Sequence, residues 1–289
     1  MTMFINMLER LVTAALLFWW SVFWGAADHG LRERNVQQHQ FTLNAANGTA
    51  TLIVDNLFGS IDVEAHEGTD VSVEITESIR AKSDRSLERA KEEVRLDISE
   101  EAGLLRFYVD GPFRIEQNGR YWRSDPGYEV QYDFKLRIPK RTDLDLRTVS
   151  EGHIAISGTA GNFKVQNVNG FIEMRQIAGS GTAHTVNGQV LVKFDTIPAS
   201  DCEFKTINGN IDLRFPTVPR GDFGLKTMNG RLLTDFDFSY LPPNPATRSR
   251  RNGLFQFQTD GKTRVRMGGG GPVYHLETLN GDILIRQND

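Results

Sequence analysis

The side chains that could do chemistry in this 289-residue sequence are scattered rather than clustered. The six histidines fall at unrelated positions, without the i, i+2 or i, i+4 spacing that brings two imidazoles onto one metal ion. The single cysteine, Cys202, cannot form an internal disulfide, and its position in the strand pattern predicts a buried structural thiol. Glycines 268–271 lack the Lys-Ser/Thr pair of a phosphate-binding loop. We therefore predict no catalytic residues, no metal site and no cofactor.

Basic side chains, in contrast, recur at two fixed distances from a repeated Asn-Gly pair. Arg175, Lys193 and Arg214 each come five residues after the glycine, and Lys205 and Lys226 come four residues before it. If the repeated units stack in parallel, equivalent side chains lie about 4.8 Å apart and form rows of positive charge. Such rows suit an anionic polysaccharide, lipid head groups or an acidic protein partner, or they only keep a long sheet soluble.

A second candidate site is an aromatic loop at about residues 111–128. Tyr121 and Trp122 lie in this loop beside several arginines, a combination that suits sugar or protein recognition. The same loop is equally suited to capping the first coil of a stacked structure, because such structures need a covered end. Both interpretations remain open at this point.

The elements that must position these side chains are repeats of a short Thr-x-Asn-Gly sequence. The Asn-Gly pairs are Asn169-Gly170, Asn187-Gly188, Asn208-Gly209, Asn229-Gly230 and Asn280-Gly281. Apolar residues stand two and four positions after nearly every glycine, so each unit is predicted to be a strand, a corner and a second strand. Asn and Gly adopt positive φ at low cost, which would explain their use at the corner. A spacing of about 20 residues favours parallel stacking over a series of hairpins, and the stacked asparagines would then hydrogen-bond along their column.

The sequence as a whole predicts an all-β fold with three regions. Residues 1–27 form a signal peptide or membrane anchor, and residues 28–140 form a strand-rich part with one helix near 83–94. Residues 141–289 form a single-stranded right-handed β-solenoid, or β-helix, with an exposed Pro- and Arg-rich insertion at 241–253.

The apolar run at residues 11–27 predicts export. It is either part of a signal peptide that is cleaved after Ala27 or an uncleaved anchor, because its 17 residues are at the short end of a membrane span. In both cases the rest of the chain reaches the periplasm or the cell surface. The net charge of −4 provides no global basic field, which argues against a nucleic-acid partner.

The sequence from about residue 50 to 287 resembles the bacterial putative-adhesin family of β-strand-repeat proteins, a domain of unknown function. The likeness is carried by the stretch from Leu136 to Thr148, by residues 152–156, by the Thr-x-Asn-Gly series and by the closing Gly-Gly-Gly-Pro at 269–272. The family implies an exported β-solenoid without established catalytic residues.

Taken together, these observations predict a non-catalytic, adhesin-like scaffold that binds an anionic glycan, a lipid or a protein partner at the cell envelope. One alternative is a solenoid-type carbohydrate-active enzyme, which would need two carboxylates about 5 to 9 Å apart in one groove. The other is an envelope-stress or signalling accessory that is tethered by an uncleaved amino-terminal span.

Overall fold

The computed structural model describes residues 30–43, 49–101, 103–114, 126–245, 247–251, 254–258 and 260–288. This part of the chain is all-β with one helix and contains two large sheets. The chain divides into two compact units. The first comprises the described residues within Met1–Asn35, Glu77–Arg95 and Asp110–Gln131, and the second comprises those within Val36–Thr76, Leu96–Val109 and Tyr132–Asp289.

The elements follow one another as a long series of short strands interrupted by a single helix. Those up to residue 147 are β1 (Leu31–Thr42), β2 (Thr51–Asp55), β3 (Ile61–His66), β4 (Asp70–Ala81), α1 (Asp84–Glu93), β5 (Arg95–Glu101), β6 (Leu104–Asp110), β7 (Tyr128–Pro139) and β8 (Asp143–Arg147). The next are β9 (Ile154–Ser157), β10 (Phe163–Gln166), β11 (Ile172–Ile177), β12 (Gly181–His184), β13 (Val190–Phe194), β14 (Cys202–Lys205), β15 (Ile211–Phe215), β16 (Gly221–Asn229) and β17 (Leu232–Thr234). The last are β18 (Ser239–Tyr240), β19 (Thr247–Arg251), β20 (Leu254–Gln258), β21 (Thr263–Met267), β22 (Val273–Asn280) and β23 (Ile283–Gln287).

Each Thr-x-Asn-Gly corner joins a strand of one large sheet to a strand of the other. Sheet A has the order β1-β4-β7-β3-β9-β11-β13-β15-β23-β17, and sheet B has the order β18-β21-β16-β22-β14-β12-β10-β8-β2-β6-β5. Equivalent strands of neighbouring units pair in parallel, for example β11 with β13 and β10 with β12. Most successive units therefore lie side by side in register.

The sheets are mixed, and this corrects the expectation of a purely parallel stack. β21 pairs antiparallel with both β16 and β18, and β19 pairs antiparallel with β20 in a separate two-stranded sheet. The predicted insertion at 241–253 thus contributes β19 to a hairpin with β20. Its prolines have no backbone N–H to donate to a ladder, and in sequence they precede this hairpin.

The spatial order of the units also differs from their order in the sequence. The last unit, β22 and β23, pairs with β14 and β15 on one side and with β16 and β17 on the other. Asn280 therefore lies between Asn208 and Asn229, although it comes last in the chain. The long excursion after β17 allows the chain to return and fill this central position.

Hydrogen bonds between neighbouring corners explain the asparagine and the threonine of the motif. The asparagine side chains form an amide ladder, in which Asn187 donates to Asn169, Asn208 to Asn187, Asn280 to Asn208 and Asn229 to Asn280, at 2.7–2.8 Å. The buried threonines donate their hydroxyl hydrogen to the glycine carbonyl of the neighbouring unit, as Thr206 does to Gly188 at 2.8 Å. Each corner is thus bonded to the next by side chains as well as by backbone.

The glycine of the motif is required by close approach, which corrects the expectation that positive φ is the reason. Gly170, Gly188 and Gly209 do not have positive φ. A Cβ atom built on Gly209 would lie 2.0 Å from the carbonyl oxygen of Gly188, and one on Gly188 would lie 2.2 Å from that of Gly170. Any side chain at these positions would collide with the adjacent corner.

The inward-facing positions predicted from the repeats form the core. The residues two and four positions after the glycine in five units are 2 % exposed or less: Ile154, Ile156, Ile172, Met174, Val190, Val192, Ile211, Leu213, Ile283 and Ile285. Each such side chain contributes about 1.5–3 kcal/mol on burial. The unit at the edge of sheet A departs from this pattern, since Leu232 is 38 % and Met228 is 74 % exposed. Within the described residues, no further strand pairs with the outer side of β17.

The helix α1 begins and ends where its capping residues require. The Ser83 hydroxyl accepts the backbone N–H of Ser86 at 3.2 Å, and Val94 closes the other end in extended conformation. Ala90 is buried and Arg89 pairs with Glu93 at 3.0 Å. The helix therefore buries one apolar side against the protein and exposes a charged side to solvent.

Candidate functional site

The strand register on sheet A places the predicted basic residues side by side, but carboxylates pair with two of the three. Arg214 is the register partner of Lys193, and a bulge in β11 places both Arg175 and Gln176 opposite Lys193. Arg175 pairs with Glu173 at 2.6 Å, and Arg214 pairs with Asp212 at 3.3 Å. Of these three basic residues, only Lys193 has no ion pair within the described part of the chain. The row is therefore not a continuous line of unbalanced charge.

The predicted basic positions on sheet B are likewise paired with carboxylates. Lys205 lies 2.6 Å from Glu203, and Lys226 lies 3.0 Å from Glu277. Because β22 separates β14 from β16, Glu277 stands between the two lysines. Lys205 and Lys226 therefore do not form an adjacent basic pair.

Glu203 is the most strongly perturbed carboxylate of this face. The His184 imidazole, with Nε2 at 2.9 Å from the carboxylate outside hydrogen-bond geometry, and the Lys205 ammonium hold the pKa of Glu203 at about 2. Burial opposes this shift but is outweighed. The cluster stabilises the ionised carboxylate within the sheet.

Several predicted features lie outside the described residues. Tyr121 and Trp122 are among them, as is the whole segment 1–27 with its expected cleavage point at Ala27. Cys202 is described: it is 2 % exposed, and burial raises the pKa of its thiol to about 11. It is thus the buried thiol expected from the sequence.

A groove of about 660 Å³ lies on the outer face of sheet A, across strands β1, β4, β7, β3, β9 and β11. Two rows of register partners line it, which are Lys135, Asp62, Ala155 and Glu173, and Arg137, Glu64, Ser157 and Arg175. Ala155 and Ser157 are the smallest members, and they stand between longer charged side chains. The groove exists because these two short residues on β9 leave the middle of both rows unfilled.

The walls of the groove offer donors and acceptors in nearly balanced numbers. The carboxylates are Asp62, Glu64, Glu74 and Glu173, and the cations are Lys135, Arg137 and Arg175. On its far side Gln38 donates to Glu74 at 3.2 Å, and Lys135 approaches the same carboxylate at 3.6 Å. Of the basic residues singled out from the sequence, Arg175 lines this groove. The groove can therefore bind hydroxyl groups as well as charges of both signs.

An aromatic pair adjoins the groove at Asp62. His153 Nε2 lies 2.9 Å from Asp62 Oδ1, and His153 Nδ1 lies 3.2 Å from Ser60 Oγ. The imidazole is stacked on Phe171 with ring centroids 4.8 Å apart and an interplanar angle of 6°. Because Phe171 is 39 % exposed, the pair presents aromatic surface beside the polar groove.

The separation of two groove carboxylates bears on the alternative that the chain is an enzyme. Asp62 and Glu173 are both register partners of Ala155, so their backbones are two strand spacings apart, or about 9.6 Å. Inverting glycosidases place their two carboxyl groups about 6.5–9.5 Å apart, a separation that side chains on strands with this backbone spacing can reach. Each carboxylate already has a partner, however, Asp62 in His153 and Glu173 in Arg175. No cluster of three or more potential metal-ligating residues is found in the described part of the chain.

The groove was not predicted, because most of its charged residues lie outside the repeated units. Glu64 and Arg137 belong to β3 and β7, which precede the regular units in sequence. Their alternation with buried neighbours marks them as outward-facing, as the burial pattern of β7 shows. Alternation does not reveal which strands become neighbours, and the groove depends on that pairing.

Comparisons with known proteins give only distant likenesses. No protein-family model and no curated protein matches the sequence. A putative cell adhesion protein from Clostridium sporogenes is similar in structure, with a TM-score of 0.39 and 9% identity over 88% of this chain and 100% of that chain. A putative lipid binding protein from Parabacteroides distasonis has a TM-score of 0.27 and 11% identity over 88% and 97% of the two chains, respectively. A putative adhesin from Parabacteroides merdae has a TM-score of 0.21 and 10% identity over 88% and 97%.

All three TM-scores are below 0.5, so these likenesses establish neither the fold nor the function of this chain. Within the described residues, no helix has the length and apolar character needed to span a bilayer.

Proposed function

We propose that this chain is a non-enzymatic, exported binding protein of adhesin type that holds a glycan in the groove on sheet A. The proposal includes a right-handed β-solenoid as the scaffold and the cell envelope as its location. The observation that supports it most is the groove itself, with short residues at its floor and both hydrogen-bond donors and acceptors on its walls. Sugars present many hydroxyl groups that both donate and accept hydrogen bonds. They therefore match this lining better than a purely anionic ligand does.

The ion pairs on the outer faces support the groove over the basic rows as the binding surface. Arg175, Arg214, Lys205 and Lys226 each contact a carboxylate. An anionic ligand bound along these rows would have to compete with those contacts. In the groove, a neutral or mixed-charge ligand can bind without breaking them.

A steric variant tests the groove directly. Ser157→Trp fills the middle of the groove from an outward-facing position, so we expect glycan binding to weaken at least tenfold while the fold is retained. Leu284→Trp introduces the same side chain at an outward position of β23 outside the groove, and binding should be unchanged. Binding of the purified full chain is first detected on a glycan array and then measured by calorimetry. Equal binding by both variants, or no glycan bound by the unaltered chain, would overturn the proposal.

The basic rows are tested in the same assay. A triple variant in which Arg175, Lys193 and Arg214 are changed to Glu alters only one groove residue, Arg175. If this variant loses binding while Ser157→Trp keeps it, the ligand occupies the basic face and not the groove.

A carbohydrate-active enzyme is the second candidate, and the spacing of Asp62 and Glu173 is the observation that favours it. The bound glycan should be incubated with the chain and assayed for new reducing ends. Release that disappears in Glu173→Gln, with binding retained, would establish catalysis and replace the non-enzymatic proposal.

Export is tested by sequencing the amino terminus of the chain recovered from the cell envelope. A terminus at Asp28 indicates a cleaved signal peptide, and an intact Met1 indicates an anchor. Recovery of the chain only from the cytoplasm would contradict the proposed location.

A further inference from the structure

The charges that line the groove can be sorted by whether the protein already pairs them. Glu173 is paired with Arg175 at 2.6 Å, Glu74 with Lys135 at 3.6 Å, and Asp62 with His153 at 2.9 Å. Two groove charges are left, Glu64 and Arg137. Neither makes an ion pair or a side-chain hydrogen bond with any other described residue.

These two side chains are direct neighbours across β3 and β7. Glu64 and Arg137 are register partners, both face outward and both are exposed. Opposite charges directly across two strands ordinarily attract each other and pair. Here the two head groups are kept apart, with Ser157 as the next register partner of Glu64.

Unpaired surface charges can bind a ligand at little cost to the protein. An exposed ion pair contributes only about 0–1 kcal/mol, so the fold loses little by leaving these head groups separate. A guanidinium binds a carboxylate or phosphate through two parallel hydrogen bonds, and a carboxylate accepts hydrogen bonds from an ammonium group. The two free groups of the groove therefore match two charges of opposite sign on one ligand.

From this arrangement we infer that the glycan unit in the groove is zwitterionic. Its carboxylate or phosphate binds Arg137, and its ammonium group binds Glu64. Because the two residues stand one strand spacing apart, about 4.8 Å, both charges belong to the same sugar residue or to adjacent ones. An amino sugar that also carries an acidic group has this chemistry. The inference rests on the proposed function, since it names the class of glycan for the same groove.

Four oligosaccharides with one common backbone test the inference. One is neutral, one carries only the acidic group, one only the free amine, and one carries both. The zwitterionic form should bind the full chain at least tenfold more tightly than any of the others in calorimetry at fixed salt. Glu64→Gln should remove the preference for the amine, and Arg137→Gln the preference for the acidic group. Glu67→Gln and Arg220→Gln make the same changes outside the groove and should leave both preferences intact.

The possible failures can be told apart. Equal binding of all four sugars, insensitive to Glu64→Gln and Arg137→Gln but lost in Ser157→Trp, would overturn the zwitterion inference and leave glycan binding in place. Binding of none of them, together with an empty glycan array, would overturn both. Capture by vesicles of a zwitterionic phospholipid without any sugar binding would show that the matching charges belong to a lipid head group, and would overturn the glycan assignment.

Discussion

At the scale of single residues, the glycine of each corner is fixed by its neighbour in space. Backbone conformation alone would allow another residue at Gly209, because its φ is not positive. The carbonyl oxygen of Gly188 is what excludes a side chain, at 2.0 Å from the position of a Cβ atom. The glycine of the motif is therefore required by the short distance between units.

This close approach predicts a large effect of one methyl group. Gly209→Ala should lower the free energy of unfolding by about 3 kcal/mol or more, because the added Cβ must displace the backbone of the neighbouring corner. Gly269→Ala is a matched control: its φ of +89° disfavours alanine, but the space around it is open. That strain costs about 1–2 kcal/mol. Urea denaturation measures both, and a loss at Gly209 no larger than that at Gly269 would contradict the role of close approach.

At the scale of elements, parallel strands bring charges into rows, and most of the basic side chains predicted to form these rows are paired with a carboxylate. Glu203 on β14 contacts His184 on β12 and Lys205 on its own strand. Glu277 on β22 contacts Lys226 on β16. The outer face of sheet B thus carries charge contacts both within one strand and between neighbouring strands.

The Glu203 contacts predict a specific dependence of stability on pH. The folded chain holds the pKa of Glu203 at about 2, below its ordinary value of 4.5. The ionised carboxylate therefore stabilises the fold above pH 4.5, and this contribution is lost as the pH falls from 4.5 to 2. It amounts to roughly 1–2 kcal/mol once solvent screening is allowed for.

Glu203→Gln should lower stability at neutral pH and reduce the further loss on acidification. Glu67→Gln removes an exposed carboxylate that pairs with Lys140, and its acid limb should match that of the unaltered chain. Thermal unfolding between pH 2 and pH 7 compares the variants. Parallel pH profiles for Glu203→Gln and the unaltered chain would rule out this role for Glu203.

The sequence predicted which strand residues are buried, but it could not predict which strands become neighbours. Strand alternation and motif spacing correctly placed Ile172 and Val190 in the core, because burial follows local periodicity. The position of Asn280 between Asn208 and Asn229 could not be predicted, since it depends on where a long excursion returns. The same holds for the groove: Glu64 and Arg137 become neighbours only when β3 pairs with β7.

At the scale of the whole molecule, the strands of the two large sheets differ in whether they are paired on one side or on both. Inner strands such as β13 and β14 are paired on both sides, whereas β17 pairs only with β23 within the described residues. Leu232 and Leu233 on β17 are 38 % and 42 % exposed. Stability in such stacks is mostly a sum of contacts between neighbours, so it should fall towards this end.

Hydrogen exchange measures this gradient. Backbone amides of Val192 and Phe204, on inner strands, should exchange most slowly, at rates set by global unfolding. Amides of β17 should exchange at least about tenfold faster, because local opening exposes them without disrupting the other units. Uniform protection from β13 to β17 would instead mean that the stack opens only as one cooperative block.

The amide ladder has a consequence for how this protein can evolve. Each corner meets the next through the same asparagine amide and, in most units, the same threonine hydroxyl, so duplication or loss of one whole unit leaves an equivalent junction behind. The groove uses strands up to β11, whereas several further units follow it along both sheets. Length can therefore change from generation to generation through these later units while the residues that would select a ligand are inherited intact.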